Sequence, residues 1–145
     1  MPRRARLFHN VDEVIENWYL ALKKGDLEKA LSLWFDEDTV TCILPDGVRL
    51  NGHSELREGL KDLFNRPLIL DTLTATSHTY LGTTFVDSTE AVRFEEKTLD
   101  ASFFIHMTII LVQGAMGWRI AHLHTSQVAK DLIHSPTLAG DHGFH

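Results

Sequence analysis

Cysteine is almost missing from this chain: Cys42 is the only one among 145 residues. No intrachain disulfide can form, and a reducing, cytoplasmic location is the natural expectation. Long apolar runs are missing too, so nothing reaches the length that spans a membrane, and no membrane partner is expected. The opening Met1-Pro-Arg-Arg-Ala-Arg-Leu-Phe is basic but lacks the apolar stretch of a signal peptide and runs into Asp12 and Glu13. Positive charge is in deficit, with 14 basic against 20 acidic side chains and a net charge of −6. Such a surface repels phosphate backbones, and nucleic acid is not an expected partner. Repeats and low-complexity segments are also lacking.

What is present is enough apolar material, 43% of the residues, for one domain with a sizeable core. Val11, Val14, Ile15, Trp18, Tyr19 and Leu22 fall on one helical stripe. Asn10 stands at the N-cap with Glu13 three residues on, and Gly25 follows two lysines as a stop. Asp26 then caps a second helix carrying Leu27, Ala30, Leu31, Trp34 and Phe35, which the acidic run 36–38 ends. Residues 39–44 and 48–50, around Pro45-Asp46-Gly47, predict a β-hairpin. A third helix is expected from about Ser54, with Leu56, Leu60, Leu63 and Phe64 on one face, and Arg66-Pro67 stops it.

Beyond Leu68 the period changes from 3.6 to 2, and strands are expected over 69–81, 83–97, 102–112 and 117–128. The first hairpin turn falls at Gly82 or at Asp87-Ser88. Helices followed by strands predict an α+β fold with three N-terminal helices against a curved antiparallel sheet of five to six strands. The expected boundaries are a flexible 1–9, one domain over 10–128, and a loose tail over 129–145.

Three segments carry candidate chemistry. In Gly117-Trp-Arg-Ile-Ala-His-Leu-His-Thr-Ser126, alternation puts Trp118, Ile120, His122, His124 and Ser126 on one face and Arg119, Ala121, Leu123 and Thr125 on the other. His122 and His124, roughly 7 Å apart along a strand, suit a buried hydrogen-bonding or interface role, an acid–base pair or two ligands of one metal, but a metal site usually needs a third ligand, so no metal is assigned. Residues 103–112 are apolar at nearly every position, so both faces should be covered, one by helices and one by a second subunit. With Phe104, His106 and Thr108 turned inward, His106 would be an acid or base in an apolar pocket, while Ile105, Met107, Ile109 and Leu111 would form the subunit interface unless the parity is reversed. Arg93, Glu95 and Lys97 share a strand face and read as a solvated surface, or Arg93 turns inward toward a carboxylate. Cys42 reads as an inert buried thiol.

The order of these pieces over residues 11–127 resembles the SnoaL-like family of the nuclear transport factor 2-like superfamily, which also holds ketosteroid isomerases. The carrying motifs are the Trp18-Tyr-Leu-Ala-Leu-Lys-Lys-Gly-Asp26 helix end, the Asp46-Gly47 turn, Leu50-Asn-Gly-His-Ser-Glu-Leu-Arg-Glu58 and the 117–126 strand. The resemblance implies a cone in which a bent sheet wraps the helices and leaves a pocket at its open end. Family members include isomerases, dehydratases, cyclases and oligomerisation modules.

Carried over by position, the isomerases' oxyanion-holding Tyr falls near Trp18, with Tyr19 beside it, and their Asp base falls on Cys42 or Thr41. Their second oxyanion acid falls on His106. The missing Asp base argues against steroid isomerisation by the family's mechanism. The expectation is a protein that binds a small apolar molecule, as an isomerase or dehydratase without cofactor or as a non-catalytic ligand-binding or oligomerisation domain, and forms a homodimer. Catalytic candidates are His106 and, more weakly, His122 and His124. Trp18, Tyr19, Cys42, Phe64, Phe104, Thr108 and Leu123 are the expected pocket residues.

Overall fold

The computed structural model describes residues 8–133. Three helices come first, α1 (Val11–Lys24), α2 (Leu27–Ser32) and α3 (Gly52–Leu63), with the short strands β1 (Thr41–Ile43) and β2 (Arg49–Asn51) between the last two. Four long strands follow: β3 (Ile69–Tyr80), β4 (Thr83–Arg93), β5 (Phe103–Gly114) and β6 (Gly117–Val128). They form one six-stranded curved sheet in the order β2-β1-β6-β5-β4-β3. This is the expected α+β architecture, with one departure: β1 runs parallel to β6, whereas the other ladders are antiparallel. Most of the domain lies between β1 and β6 in sequence, so the crossover that a parallel pair needs is the body of the fold.

Local chemistry sets the helix ends. The Asn10 side chain accepts from the Glu13 amide at 2.9 Å, and Gly25 closes α1 in the left-handed region at φ 67°. Asp26 caps α2 through the Lys29 amide at 3.1 Å. That helix stops at Ser32, short of the expected Phe35, because Leu33 to Phe35 leave it to bond the backbone of Ile120 on β6. The acidic 36–38 run has a task beyond ending a helix, since Asp38 accepts the His53 amide at 2.8 Å and so caps α3.

The first hairpin turns at Leu81-Gly82, where both residues have positive φ, 43° and 80°, as a two-residue hairpin loop demands. Gly117 opens β6 at φ 87°, and a Cβ there would overlap the Phe8 backbone. Phe8 bridges Gly117 and is buried, so the flexible N-terminus expected over 1–9 does not extend to it. Residues 130–132 form a short 3-10 turn within the tail expected to be loose, and the rest of both termini lies outside the described residues.

The core fills the concave side. Val14, Trp18, Leu22, Leu56, Leu60, Val92, Ile105, Met107, Ile109, Leu111, Ile120 and Leu123 are buried in one cluster. Two expectations are corrected here. Ile105, Met107, Ile109 and Leu111 face the helices, so the parity of β5 is the reverse of the expected one, and Phe104, His106 and Thr108 lie on the outer face. On β6 strict alternation fails: Ile110 pairs with His122 but Leu111 with Ile120, leaving Ala121 as the extra residue of a bulge. Trp118 and Ile120 therefore point inward with Leu123 and Thr125, while His124 is exposed beyond the bulge. No described helix is long and apolar enough to cross a membrane.

Candidate functional site

Two concavities flank α1, and Leu70 lines both. The first lies inside the cone and measures about 90 Å³. Trp18 and Leu22 of α1, Leu60 of α3, Cys42 of β1, Val92 of β4, Met107 of β5 and Leu123 of β6 meet in it. Its open end carries the part-buried Leu44, Pro45, Phe94 and Phe103. The titratable group on its wall is Cys42, whose thiol burial pushes up to about 12, so it stays protonated and unreactive at neutral pH. Thr125 spends its hydroxyl proton on the Ile43 carbonyl at 2.8 Å. The indole N–H of Trp18 is buried without a hydrogen-bond partner, as is that of Trp34, whose ring centre lies 6.0 Å away, and the cavity surface itself is apolar.

The second concavity is an open groove of about 630 Å³ between α1 and the β3–β4 hairpin. Ile15, Leu20, Ile69 and Val86 give it apolar walls, and Tyr19, Thr72 and Ser88 line it with hydroxyls. Behind them stands Glu90, with 0% of its surface exposed. The Tyr19 hydroxyl donates to Glu90 Oε2 at 2.7 Å, and the Thr72 hydroxyl donates to Oε1 at 2.8 Å and Oε2 at 3.1 Å. Burial, and then the hydrogen bond to Glu90 and its charge, raise the Tyr19 pKa well above the ordinary phenol value. Ser88, 8% exposed, has no hydrogen-bond partner, although it stands near enough to Tyr19 to favour the phenolate slightly.

The expected site residues are divided by this geometry. Trp18, Cys42 and Leu123 do meet in the cone, and Phe64 packs on Trp18 with ring centres 6.2 Å apart. Tyr19, one residue and about 100° further round the helix, opens into the groove instead. Phe104, His106 and Thr108 are outside: His106 Nδ1 bonds the Thr89 hydroxyl at 3.0 Å, and Thr108 donates to Asp87 at 2.7 Å. His122 and His124 share that outer surface, with ring centres 6.2 Å apart. His122 Nδ1 makes a short hydrogen bond to Thr41, and burial, then His124, then Arg49 lower its pKa. Among the described residues no group of three or more His, Cys, Asp or Glu side chains could hold a metal ion.

Arg93 ends its strand and ties Asp71 at 2.7 Å to the carbonyls of Glu95, Glu96 and Thr98, so Glu95 and Lys97 belong to a loop rather than to a strand face. Sequence reasoning missed Glu90, Thr72 and Ser88. The available signal was parity, since Glu90 alternates with Ser88 and the apolar Val92.

The description of the SnoaL-like domain matches residues 11–130. The chain belongs to the SnoaL-like family. No curated protein matches it. Among solved structures, a provisionally named calcium/calmodulin-dependent protein kinase type II association domain from Thiobacillus denitrificans is similar at TM-score 0.76 and 21% identity, over 85% of this chain and 98% of that one. A provisionally named dehydratase of the NTF2-like family from Streptomyces avermitilis follows at 0.72 and 20%, over 81% and 93%. A provisionally named ketosteroid isomerase from Shewanella frigidimarina stands at 0.62 and 18%, over 79% and 92%. At these identities the likeness concerns the SnoaL-like fold, which is shared by proteins named for different activities.

Proposed function

We propose that this SnoaL-like protein binds a small, largely apolar molecule inside the cone, without transforming it. The observation that carries the reading is the wall itself: leucine, phenylalanine, valine and methionine side chains meet there, and the ionisable group among them is the protonated thiol of Cys42. A wall of this kind favours a ligand that is itself largely apolar, because a polar group entering it gives up its water without gaining a partner. The volume of about 90 Å³ falls below the roughly 150 Å³ of a cavity that admits benzene, so the ligand has only a few heavy atoms unless Leu63, Leu68, Phe94 or Phe103 moves. A steroid is far too large for this conformation.

Isomerase or dehydratase chemistry is the less supported reading. Acid–base catalysis needs a proton carrier within reach of the substrate, and by resemblance the isomerases' Asp base falls on Cys42 or Thr41, neither of them a carboxylate. The three candidate histidines lie on the other side of the sheet.

The reading includes a second copy of the chain on the outer face, in a reducing cytoplasmic setting. Phe85, Ile110 and Val112 form a half-buried apolar strip there, with Phe104 on the same face beyond His106 and Thr108, and these replace Ile105, Met107, Ile109 and Leu111 as the proposed contact. Light scattering at micromolar concentration should give twice the 16.5 kDa of one chain, and a single-chain mass refutes the dimer.

The test of the ligand reading is an NMR titration with 2-butanone. The Trp18 indole N–H resonance should shift in the wild type and stay still in a folded Leu123→Phe variant that fills the cavity. If Trp18 does not respond, or responds equally in both proteins, the reading is wrong.

A further inference from the structure

The groove on the far side of α1 has the features of a second, different site. Of the five hydroxyl-bearing residues on its lining, Tyr19, Thr72, Thr76, Ser77 and Ser88, two have their protons committed to Glu90, since Tyr19 and Thr72 both donate to that carboxylate. Their remaining lone pairs can only accept. Ser88, more than nine-tenths buried on the same wall and near the Tyr19 hydroxyl, has an Oγ that meets no partner at hydrogen-bonding geometry. A buried hydroxyl in that state is unusual, and its desolvation is offset only when something arrives to bond it. The three oxygens together form an acceptor array backed by a negative charge.

The rim has the same sign. Asp12, Glu16 and Asp71 line the groove against Lys23 and Arg93, and those two cations are engaged, Lys23 with Glu96 at 3.2 Å and Arg93 with Asp71 at 2.7 Å. Among the described residues Glu90 has hydroxyl partners and no cation. A buried carboxylate without a counter-charge favours a cation brought to its neighbourhood. Ile15, Leu20, Ile69 and Val86 give the remainder of such a ligand an apolar bed, and about 630 Å³ is ample for a small molecule.

We infer that the groove between α1 and the β3–β4 hairpin binds a protonated primary amine with an apolar body, its ammonium donating to Tyr19, Thr72 and Ser88. An ammonium carries three donors and no acceptor, the complement of three acceptor hydroxyls in a negative field. This site is separate from the cone cavity, and either can fail without the other.

The experiment is isothermal titration of the full chain at pH 7 with n-hexylammonium chloride, with n-hexanol and sodium hexanoate as comparators. Hexylammonium should bind at least about tenfold more tightly than hexanol, the equivalent of one charge-assisted hydrogen bond, and hexanoate should not bind. Ser88→Ala should weaken amine binding by about fivefold to tenfold and leave the melting temperature unlowered, because Ser88 loses no internal bond. Thr72→Val provides an independent second variant with the same direction of effect. Equal binding of amine and carboxylate, or amine binding that both variants leave unchanged, overturns the inference. The Trp18 indole resonance, followed in the same titrations, should not move; if the amine shifts it, the ligand is in the cone and the groove assignment is wrong.

Discussion

Replacing Tyr19 by Phe deletes one oxygen and tests how the buried carboxylate is held. The ring stays, so the apolar contacts of α1 with β3 and β4 are kept, and the change is confined to the 2.7 Å bond from the phenol to Glu90 Oε2. Glu90 is fully buried and would retain only the Thr72 hydroxyl, at 2.8 and 3.1 Å. A hydrogen bond to a charged group contributes about 1.5–3 kcal/mol, and leaving a buried acceptor short of a donor falls in the same range. We therefore expect a loss of about 2 kcal/mol in urea unfolding, with a fall of roughly 4–8 °C in Tm for a domain of this length. The assay is a double-mutant cycle with Glu90→Gln, followed by circular dichroism. If the bond is what Tyr19 supplies, the two changes are coupled by about 1 kcal/mol or more. A Tyr19→Phe cost below about 0.5 kcal/mol, or a cost that simply adds to that of Glu90→Gln, would refute the account of the cluster.

Other expectations follow from single positions. Leu81 is fully exposed with φ 43°, a conformation that L side chains adopt at a cost, so Leu81→Asn should raise stability by about 0.5–1 kcal/mol in chemical unfolding; a loss would show that the leucine makes a contact in solution. His122 has a lowered pKa when folded, so its contribution is fully present above the unfolded value of about 6.5 and is lost as pH falls through the folded value. His122→Gln should flatten the decline in Tm between pH 7 and pH 5, and an unchanged decline would remove His122 as its source. Cys42, protonated and buried, should react with a thiol reagent only as fast as the chain unfolds, whereas prompt labelling of the native protein would contradict its placement.

Much of the fold was legible because it is specified locally. The caps at Asn10, Gly25 and Asp26 need only neighbours three or four residues away, and the period of the strands is visible in any window of six. The face of β5 was not legible. Phe104 and Ile110 are as apolar as Ile105 and Ile109, so alternation could not say which set faces the helices, and His106 was placed inside on that reversed parity. On β6 the extra residue at Ala121 carried His122 and His124 away from the face of Ile120, a shift that no residue type in that run announces. Glu90 was hidden for another reason. A charged residue in a strand ordinarily reads as solvated, and its partners Thr72 and Tyr19 are 18 and 71 residues distant. Trp18 lies on the cone wall because the periodicity of α1 is unbroken there, and Leu123 does so because it lies beyond the bulge, where alternation with the exposed His124 resumes.

The central claim is that the cone encloses a site for a small, largely apolar molecule, and a crystal structure of the protein soaked with 2-butanone tests it most directly. The account predicts density for the ketone among Trp18, Leu60, Met107 and Leu123. A cavity that stays empty at saturating ketone, or density for the ketone only outside the cone, would contradict it.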